Sequence, residues 1–210
     1  MTYCFTICKQ IEISGLLYSL QTDLKRNGFM KNIVSTLLLA GGLIAGGSSF
    51  VSAEENTPQR EEVRMRSMLY AADYQSMLAL VQKKQFAEAF PEILRYARYG
   101  DKYAQYLAGL LMVSGEDVPV NVEEGLVWMR LSLEQDTTDW KRRYAELTAN
   151  LTQEQLDSLN PLYEEFKKKY GAENQFMRCG FERLRGSNMR QHACRKNLLM
   201  NEYYMVVEYK

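Results

Sequence analysis

The stretch FAEAFPEILRYARYGDKYAQYLAGLLMVSGEDVPVNVEEGLVWMRLSLEQ, residues 86–135, decides the fold of this chain. Its apolar residues recur at three- and four-residue steps, the periodicity of one face of an α-helix. Two glycine-containing turns divide it into three amphipathic helices: one ending at Gly100, one from Asp101 to about Ser114, and one starting near Asn121. Small residues stand where one helix would pack closely on the next, namely Ala97, Gly100, Ala104, Ala108, Gly109 and Gly125.

Helical periodicity continues on both sides of this stretch. Residues 61–85 carry apolar side chains at helical spacing from Met65 to Val81, and residues 139–150 and 152–170 predict two more helices. Pro91 predicts a kink or a late start in the helix that contains it. The chain therefore predicts six helices in about three antiparallel pairs.

Capping residues mark several of these helix ends. Asp101 and Asn121 are predicted N-caps, because their side chains accept hydrogen bonds from first-turn amides. Thr152 opens a capping box with a glutamine three residues on, and Gly171 stops the helix that follows. Pro161 lies inside that last predicted helix and predicts a bend there.

The stretch resembles a known family, the Sel-one-like repeat, an α-solenoid unit related to the tetratricopeptide repeat. The resemblance rests on the pattern Ala97-x-x-Gly100-Asp101-x-x-Ala104-Gln105-x-x-x-Gly109-x-x-x-x-x-Gly115-x-x-Val118, followed by Asn121 and Trp128. It covers about residues 89–135. Asp117 and Asp136 stand where the family usually has turn glycines, and Gly125 stands where alanine is usual. The resemblance implies an all-α fold, a short α-solenoid of antiparallel helix pairs.

No second copy of the pattern lies one repeat period away. A single solenoid unit cannot bury its own apolar face, and such arrays usually need about three units. Residues 61–85 and 139–170 are therefore expected to complete the core as degenerate repeats or caps. We expect one helical domain over residues 54–170, with the clear repeat at about 89–135.

Residues 30–53 look like a secretory signal. Met30-Lys31 supplies a start and a positive charge, residues 33–45 form the apolar core, and Val51-Ser52-Ala53 places small residues at the cleavage positions. On this interpretation residues 1–29 are a mis-assigned upstream extension and the mature chain begins at Glu54. The alternative is an uncleaved membrane anchor. Glycines and serines interrupt the apolar stretch, which makes it short for a membrane-spanning helix. The expected location is the periplasm, with no stable membrane anchor after cleavage.

Two cysteines, Cys179 and Cys194, remain in the proposed mature chain. An oxidising compartment favours a disulfide between them, worth roughly 3 kcal/mol for a loop of this length. Metal binding is the rival interpretation, but His192 is the only histidine of the chain, so at most three ligands are at hand. Residues 171–210 are therefore predicted to form a small disulfide-closed hairpin or irregular loop at the solenoid end.

Charge is distributed unevenly although the formal net charge is zero, a balance that gives no general attraction to nucleic acid. Residues 54–170 contain 15 Lys and Arg against 20 Asp and Glu, whereas residues 171–210 contain 7 against 4. The basic extension is a candidate contact for anionic lipid or cell-wall polymer, although a solvated surface also explains it. Its candidate contact residues are Arg183, Arg185, Arg190, Arg195 and Lys196.

Aromatic residues suggest a binding surface. Trp128 lies on an apolar helix face and is predicted to be core. Tyr99 and Tyr103 are expected to remain partly exposed and to line the concave groove where solenoids of this type bind peptides or partner proteins.

Catalytic and cofactor motifs are missing from the sequence. No serine has a lysine three residues on, so the Ser-x-x-Lys nucleophile motif is absent. The adjacent carboxylates Glu123-Glu124 and Glu164-Glu165 point to different sides of a helix, which makes them poor acid–base pairs. The resemblance thus implies a non-catalytic exported repeat protein, without cofactor, that mediates protein–protein contact in the bacterial envelope. The alternative hypothesis is an envelope hydrolase or a protein that binds cell-wall or β-lactam-like ligands.

Overall fold

The computed structural model describes residues 59–183, 186, 188–200 and 202–210. The predicted signal at residues 30–53, the extension at 1–29 and the cleavage site lie outside these ranges. The elements, in chain order, are β1 (Arg60–Arg66), α1 (Ser67–Gln82), α2 (Phe86–Arg98), α3 (Lys102–Ser114), α4 (Val122–Ser132), a 3-10 turn (Leu133–Gln135), α5 (Thr138–Thr148), α6 (Gln153–Ser158), α7 (Asn160–Tyr170), β2 (Met177–Arg183), β3 (Arg190–Lys196), β4 (Leu198–Leu199) and β5 (Tyr203–Tyr209).

Helices α2, α3 and α4 form the centre of the fold, as the sequence predicts. Helices α3 and α4 cross where Gly109 faces Gly125, so closely that a Cβ at Gly109 would lie 2.5 Å from Met129 Cγ. Trp128 is 1% exposed, which confirms its prediction as a core residue. The core around these helices includes Ile93, Ala97, Ala108, Leu111 and Leu131.

The predicted caps are present. Asp101 Oδ1 accepts a hydrogen bond from the Ala104 amide at 2.8 Å, and Asn121 Oδ1 accepts one from the Glu124 amide at 3.2 Å. Thr152 and Gln155 form the reciprocal capping box. These bonds satisfy amides that have no partner inside the helix.

The two aspartates that replace turn glycines adopt the conformation that glycine ordinarily supplies. Asp117 has φ of 56° and Asp136 has φ of 60°, both in the left-handed region. Asp and Asn reach this region at lower cost than most residues with a side chain. The turns therefore keep their left-handed residue although the glycine is gone.

The two prolines affect their helices in different ways. Helix α2 begins at Phe86 with Pro91 inside it, so the late start is wrong. The predicted helix at 152–170 is divided into α6 and α7, and Pro161 is the second residue of α7. This place suits proline, because amides in the first turn of a helix have no intrahelical partner.

The helix-rich body agrees with the all-α prediction, whereas a three-stranded sheet that joins the two ends of the described chain departs from it. Residues 60–66, which the sequence analysis assigned mostly to the first helix, form strand β1 and pair antiparallel with β5. Val63 lies opposite Val206 and Met65 opposite Tyr204, so the apolar residues alternate along β1. This period of two places one face of the strand on the core.

Two small antiparallel sheets result. One has the strand order β1-β5-β4, and the other is the β2–β3 hairpin. The predicted disulfide is confirmed, with Cys179 directly opposite Cys194 in that hairpin. The fold is thus a helical body with a disulfide-closed hairpin and a three-stranded sheet.

The helices of the described part of the chain all lie within residues 59–183. None of them is long and apolar enough to cross a bilayer.

Candidate functional site

Tyr99 does not line an exposed groove, contrary to expectation. Its side chain is buried, with 5% of its surface exposed, and its hydroxyl donates to Glu208 Oε1 on β5 at 2.7 Å. The ring packs edge-on against Tyr96, with centroids 6.1 Å apart. Burial against a strand 109 residues away in sequence removes Tyr99 from the surface.

Tyr99 belongs to a cluster of tyrosines that joins α1, α2 and β5. Tyr96 is fully buried, and its hydroxyl donates to the Tyr70 carbonyl oxygen at 2.7 Å. The Tyr74 hydroxyl donates to Asp101 Oδ1 at 3.1 Å. Burial raises the pKa of Tyr96 to about 12 and shifts the pKa of Tyr99 upward as well. These hydroxyls therefore stay protonated at neutral pH and act as hydrogen-bond donors.

Tyr103 lies elsewhere, beside α5. It is half-buried, and its ring centroid is 6.4 Å from that of Trp140. Tyr106 stacks on the same indole at 4.8 Å with nearly parallel planes. Trp140 is itself half-buried, so Tyr103 and Trp140 form a partly exposed aromatic surface between α3 and α5. Trp140 lies in the predicted helix at residues 139–150, and its pairing with Tyr103 was not predicted.

The predicted basic residues that the structure describes occupy three kinds of environment: exposed, paired with a carboxylate, and, for Lys196, turned inward. Arg183 and Arg190 are exposed in the β2–β3 hairpin, and the Arg190 guanidinium lies 5.8 Å from the Phe181 ring centroid. Arg195 Nε donates to Glu182 Oε2 at 2.7 Å, which neutralises its charge locally. Arg185 lies outside the described residues. Their role as an anionic contact stays a prediction.

Lys196 points inward rather than toward an anionic surface. Its ammonium donates to the carbonyl oxygens of Gln175 at 2.9 Å and Met205 at 3.3 Å. Burial lowers the pKa of Lys196 to about 7, and the nearby Asp101 carboxylate opposes that shift. Lys196 therefore contributes to the interior, which corrects its assignment as a surface contact.

Further buried polar residues connect the helical body to residues 171–210. The Lys102 side chain is 0% exposed and forms a salt bridge with Glu134 at 2.7 Å. Glu134 also accepts a hydrogen bond from the Ala172 amide at 2.8 Å. Gln105 Nε2 donates to the carbonyl oxygens of Ala97 and Tyr170, each at 2.9 Å. We call Lys102, Gln105, Glu134, Gln175 and Lys196 the polar junction.

Because Lys196 of the polar junction has a lowered pKa, we expect the free energy of unfolding to rise with pH above neutrality. Between pH 7 and pH 9 the folded chain loses the Lys196 proton, whereas an unfolded lysine, with a pKa near 10.5, keeps it. The unfolded state then binds more protons, so the free energy of unfolding should increase by about 2 kcal/mol over this window. Urea unfolding at pH 7, 8 and 9 measures the change.

Replacing Lys196 with methionine provides the control for this pH dependence. Lys102, whose pKa burial also lowers, contributes in the same direction, so Lys196→Met should reduce the rise rather than invert it. An unchanged pH dependence in Lys196→Met would show that Lys196 is not the titrating group.

His192 holds a structural contact in the described structure. Its Nδ1 lies 2.9 Å from the Gln135 carbonyl oxygen, and its ring meets Phe181 edge-on. Cys194, two residues on, is in the disulfide. Within the described ranges, no three His, Cys, Asp or Glu side chains group so as to hold a metal ion.

An open pocket of about 340 Å³ lies between α4 and α7. Both oxygens of Glu124 are engaged there: Oε1 accepts from Trp128 Nε1 at 3.1 Å and Oε2 from Asn121 Nδ2 at 2.9 Å. Glu123, Leu162 and Phe166 complete the wall. The carboxylate of Glu124 thus fixes the start of α4.

Sequence comparison finds no match between this chain and the known protein-family models or the curated proteins. Among solved structures, it is similar to a protective antigen present in uropathogenic Escherichia coli strains that displays an SLR fold. The identity is 22% and the TM-score 0.43, over 50% of this chain and 24% of the antigen chain. The chain thus spans about a quarter of the length of that antigen.

Proposed function

We propose that this chain is a non-catalytic helical-repeat protein that binds a protein or peptide partner. The observation that carries the proposal is the half-buried aromatic surface of Tyr103 and Trp140 between α3 and α5. Aromatic rings with a polar edge are enriched among residues that dominate protein interfaces.

The position of this surface on rigid elements supports the proposal. Tyr103 lies in the first turn of α3, which Asp101 caps, and Tyr106 one turn later stacks on Trp140. The close crossing of α3 on α4 fixes the backbone below. A pre-organised aromatic pair loses little conformational freedom on binding, which favours affinity.

Export to the bacterial envelope is part of the same proposal. The signal-like residues 30–53 and the Cys179–Cys194 disulfide support it, because structural disulfides persist in oxidising compartments. Mass spectrometry of the protein recovered separately from the periplasmic and cytoplasmic fractions measures its location, its N-terminus and the disulfide. A mature N-terminus at Glu54 with no free thiol is expected; a cytoplasmic protein that starts at Met1 would contradict export.

Site-specific photo-crosslinking tests the binding surface. A benzophenone amino acid in place of Tyr103 should give discrete crosslinked adducts in cells, since a partner on this surface lies within reach of the probe. The same amino acid in place of Lys83, an exposed residue after α1, is the matched control. Gel electrophoresis and peptide mass spectrometry identify the adducts.

The two probe positions separate a specific site from general contact. Adducts that form at Tyr103, disappear in a Trp140→Ala background and are absent at Lys83 support the proposed surface. Equal adducts at both positions, or none at Tyr103, contradict it.

A cell-wall or anionic ligand is the second candidate. Two exposed cations favour this ligand over the hydrolase form: Arg183, and Arg190, whose guanidinium lies beside the Phe181 ring. His192→Ala discriminates the hydrolase: loss of an activity with the fold intact would support an enzyme, whereas partner binding should not change.

A further inference from the structure

Five large apolar side chains gather at one end of the three-stranded sheet. Met200 is 91% exposed and Met68 76%, while Leu69, Leu198 and Leu199 are between 39% and 59% exposed. We call these five residues the apolar tip.

The backbone brings these residues together from distant parts of the sequence. The Ser67 amide, at the start of α1, donates to the Glu202 carbonyl oxygen, which lies between β4 and β5, at 2.8 Å. Met68 and Leu69 follow Ser67 directly, and β4 consists of Leu198 and Leu199. The tip therefore combines the start of α1 with the end of the sheet.

The shape of the tip limits what can cover it. A side chain that is 91% exposed stands on a protrusion, whereas a peptide groove is concave and half-encloses its lining residues. In a two-fold dimer the same surface of both copies meets, so two convex protrusions would have to pack on each other. A convex apolar protrusion therefore suits insertion into a lipid surface better than a dimer.

Two arginines flank the tip on one sheet face. Arg66, Tyr203 and Leu199 are opposite one another across the three strands, so their side chains emerge on the same face. Arg66 Nε donates to the Tyr203 hydroxyl at 3.2 Å, and Arg64 is exposed two residues before it on that face. Glu62, on the same face, is paired with Arg60 at 2.8 Å, so Arg64 and Arg66 outnumber the remaining exposed carboxylate, Glu202.

We propose that the apolar tip inserts into the surface of an anionic lipid bilayer, with Arg64 and Arg66 contacting the headgroups. Leucine and methionine side chains gain free energy on leaving water for the acyl boundary, and flanking arginines attract anionic lipid. The inference uses different elements from the Tyr103–Trp140 surface and does not rest on the proposed function.

Quenching of a tryptophan at the tip tests the insertion directly. The full chain with Met200→Trp is mixed with vesicles that contain brominated phosphatidylglycerol, whose bromines quench only nearby indoles. Val120→Trp is the matched control, because Val120 is an apolar side chain 65% exposed outside the tip. Both variants retain Trp128 and Trp140 as the same background.

Insertion predicts at least threefold greater quenching at position 200 than at position 120. Because Trp128 and Trp140 are common to both variants, the difference in quenching between the variants reports on residue 200 and not on lipid binding by another part of the chain. Adding Leu198→Glu and Leu199→Glu to Met200→Trp should abolish the quenching. Equal quenching at positions 120 and 200 overturns the proposal, as does quenching that survives both glutamates.

Two further measurements test the arginine–headgroup contact and the alternative that a second copy of the chain covers the tip. Arg64→Gln/Arg66→Gln should weaken the quenching on phosphatidylglycerol vesicles at least threefold while leaving the weaker signal on phosphatidylcholine unchanged. Sedimentation velocity of the unmodified chain and of Met200→Glu examines self-association. A dimer that Met200→Glu dissociates would assign the tip to a second copy of the chain and overturn the lipid proposal.

Discussion

Replacing Gly109 with alanine is expected to lower the free energy of unfolding by about 3 kcal/mol. The new Cβ would lie 2.5 Å from Met129 Cγ and 2.8 Å from the Met129 backbone nitrogen, and it would also overlap the Gly125 carbonyl oxygen. Two of these three atoms belong to the backbone of α4, so a side-chain rotation cannot relieve the overlap. Helices α3 and α4 must move apart, and their shared core loses contact.

Intrinsic helix propensity opposes this loss, so whether the free energy of unfolding falls or rises in Gly109→Ala is informative. Alanine is favoured over glycine inside a helix by about 1 kcal/mol, so a loosely packed crossing would be stabilised by the substitution. Gly180→Ala in β2 is the control, because a Cβ there meets nothing within 4 Å. Urea unfolding of both variants measures the difference; a more stable Gly109→Ala chain would contradict the close crossing.

Gln175→Leu is expected to lower the free energy of unfolding by about 3–5 kcal/mol. The buried amide of Gln175 donates to the carbonyl oxygens of Lys169 and Val207 and accepts from the Val207 amide, each at 3.0 Å. Leucine has a similar volume but no hydrogen-bonding group, so backbone groups of α7 and β5 lose their partner in the interior. Each buried unsatisfied group costs about 1–3 kcal/mol.

The measurement for Gln175 includes a control and a local readout. Gln153→Leu removes an exposed side-chain bond to Asp157 and should change stability by no more than about 0.5 kcal/mol. Hydrogen exchange of the β5 amides should accelerate in Gln175→Leu. Exchange and stability that match those of Gln153→Leu would show that Gln175 is not a structural residue.

The helical body was predictable because its signals are local. Asp101, Asn121 and Thr152 cap helices whose first amides lie within three residues of them. The disulfide followed from an even pair of cysteines in a chain with a predicted export signal. The small residues indicated the α3–α4 crossing, and Asp117 and Asp136 retained the left-handed turns without glycine.

The three-stranded sheet was not predictable in the same way. Strand β1 has the sequence REEVRMR, in which two apolar residues give too short an alternation to distinguish a strand from the start of a helix. Only pairing with β5 decides between them, and Arg66 and Tyr203 are 137 residues apart. Nothing in the sequence near β1 indicates which distant segment it meets.

The errors in the candidate site share this cause. Tyr99 is buried against β5, where Glu208 accepts a hydrogen bond from its hydroxyl. Lys196 turns inward, where Gln175 and Met205 provide carbonyl oxygens for its ammonium. Both residues occupy positions that would be exposed on the helices or the hairpin alone. Tyr103, whose neighbour Trp140 comes from a nearby helix, remained half-exposed, and its role in binding stays a prediction.

The pairing of β1 with β5 also has a consequence for the order of events during biosynthesis. The ribosome produces β1 before every helix of the described chain and β5 after all of them. Contacts between segments so distant in sequence form slowly, because the entropy cost of closing a long loop comes before any favourable contact energy is gained. The three-stranded sheet therefore cannot form before β5 has been synthesised. Until then β1 has no strand to pair with, and the nascent chain carries an unpaired strand next to its first helix.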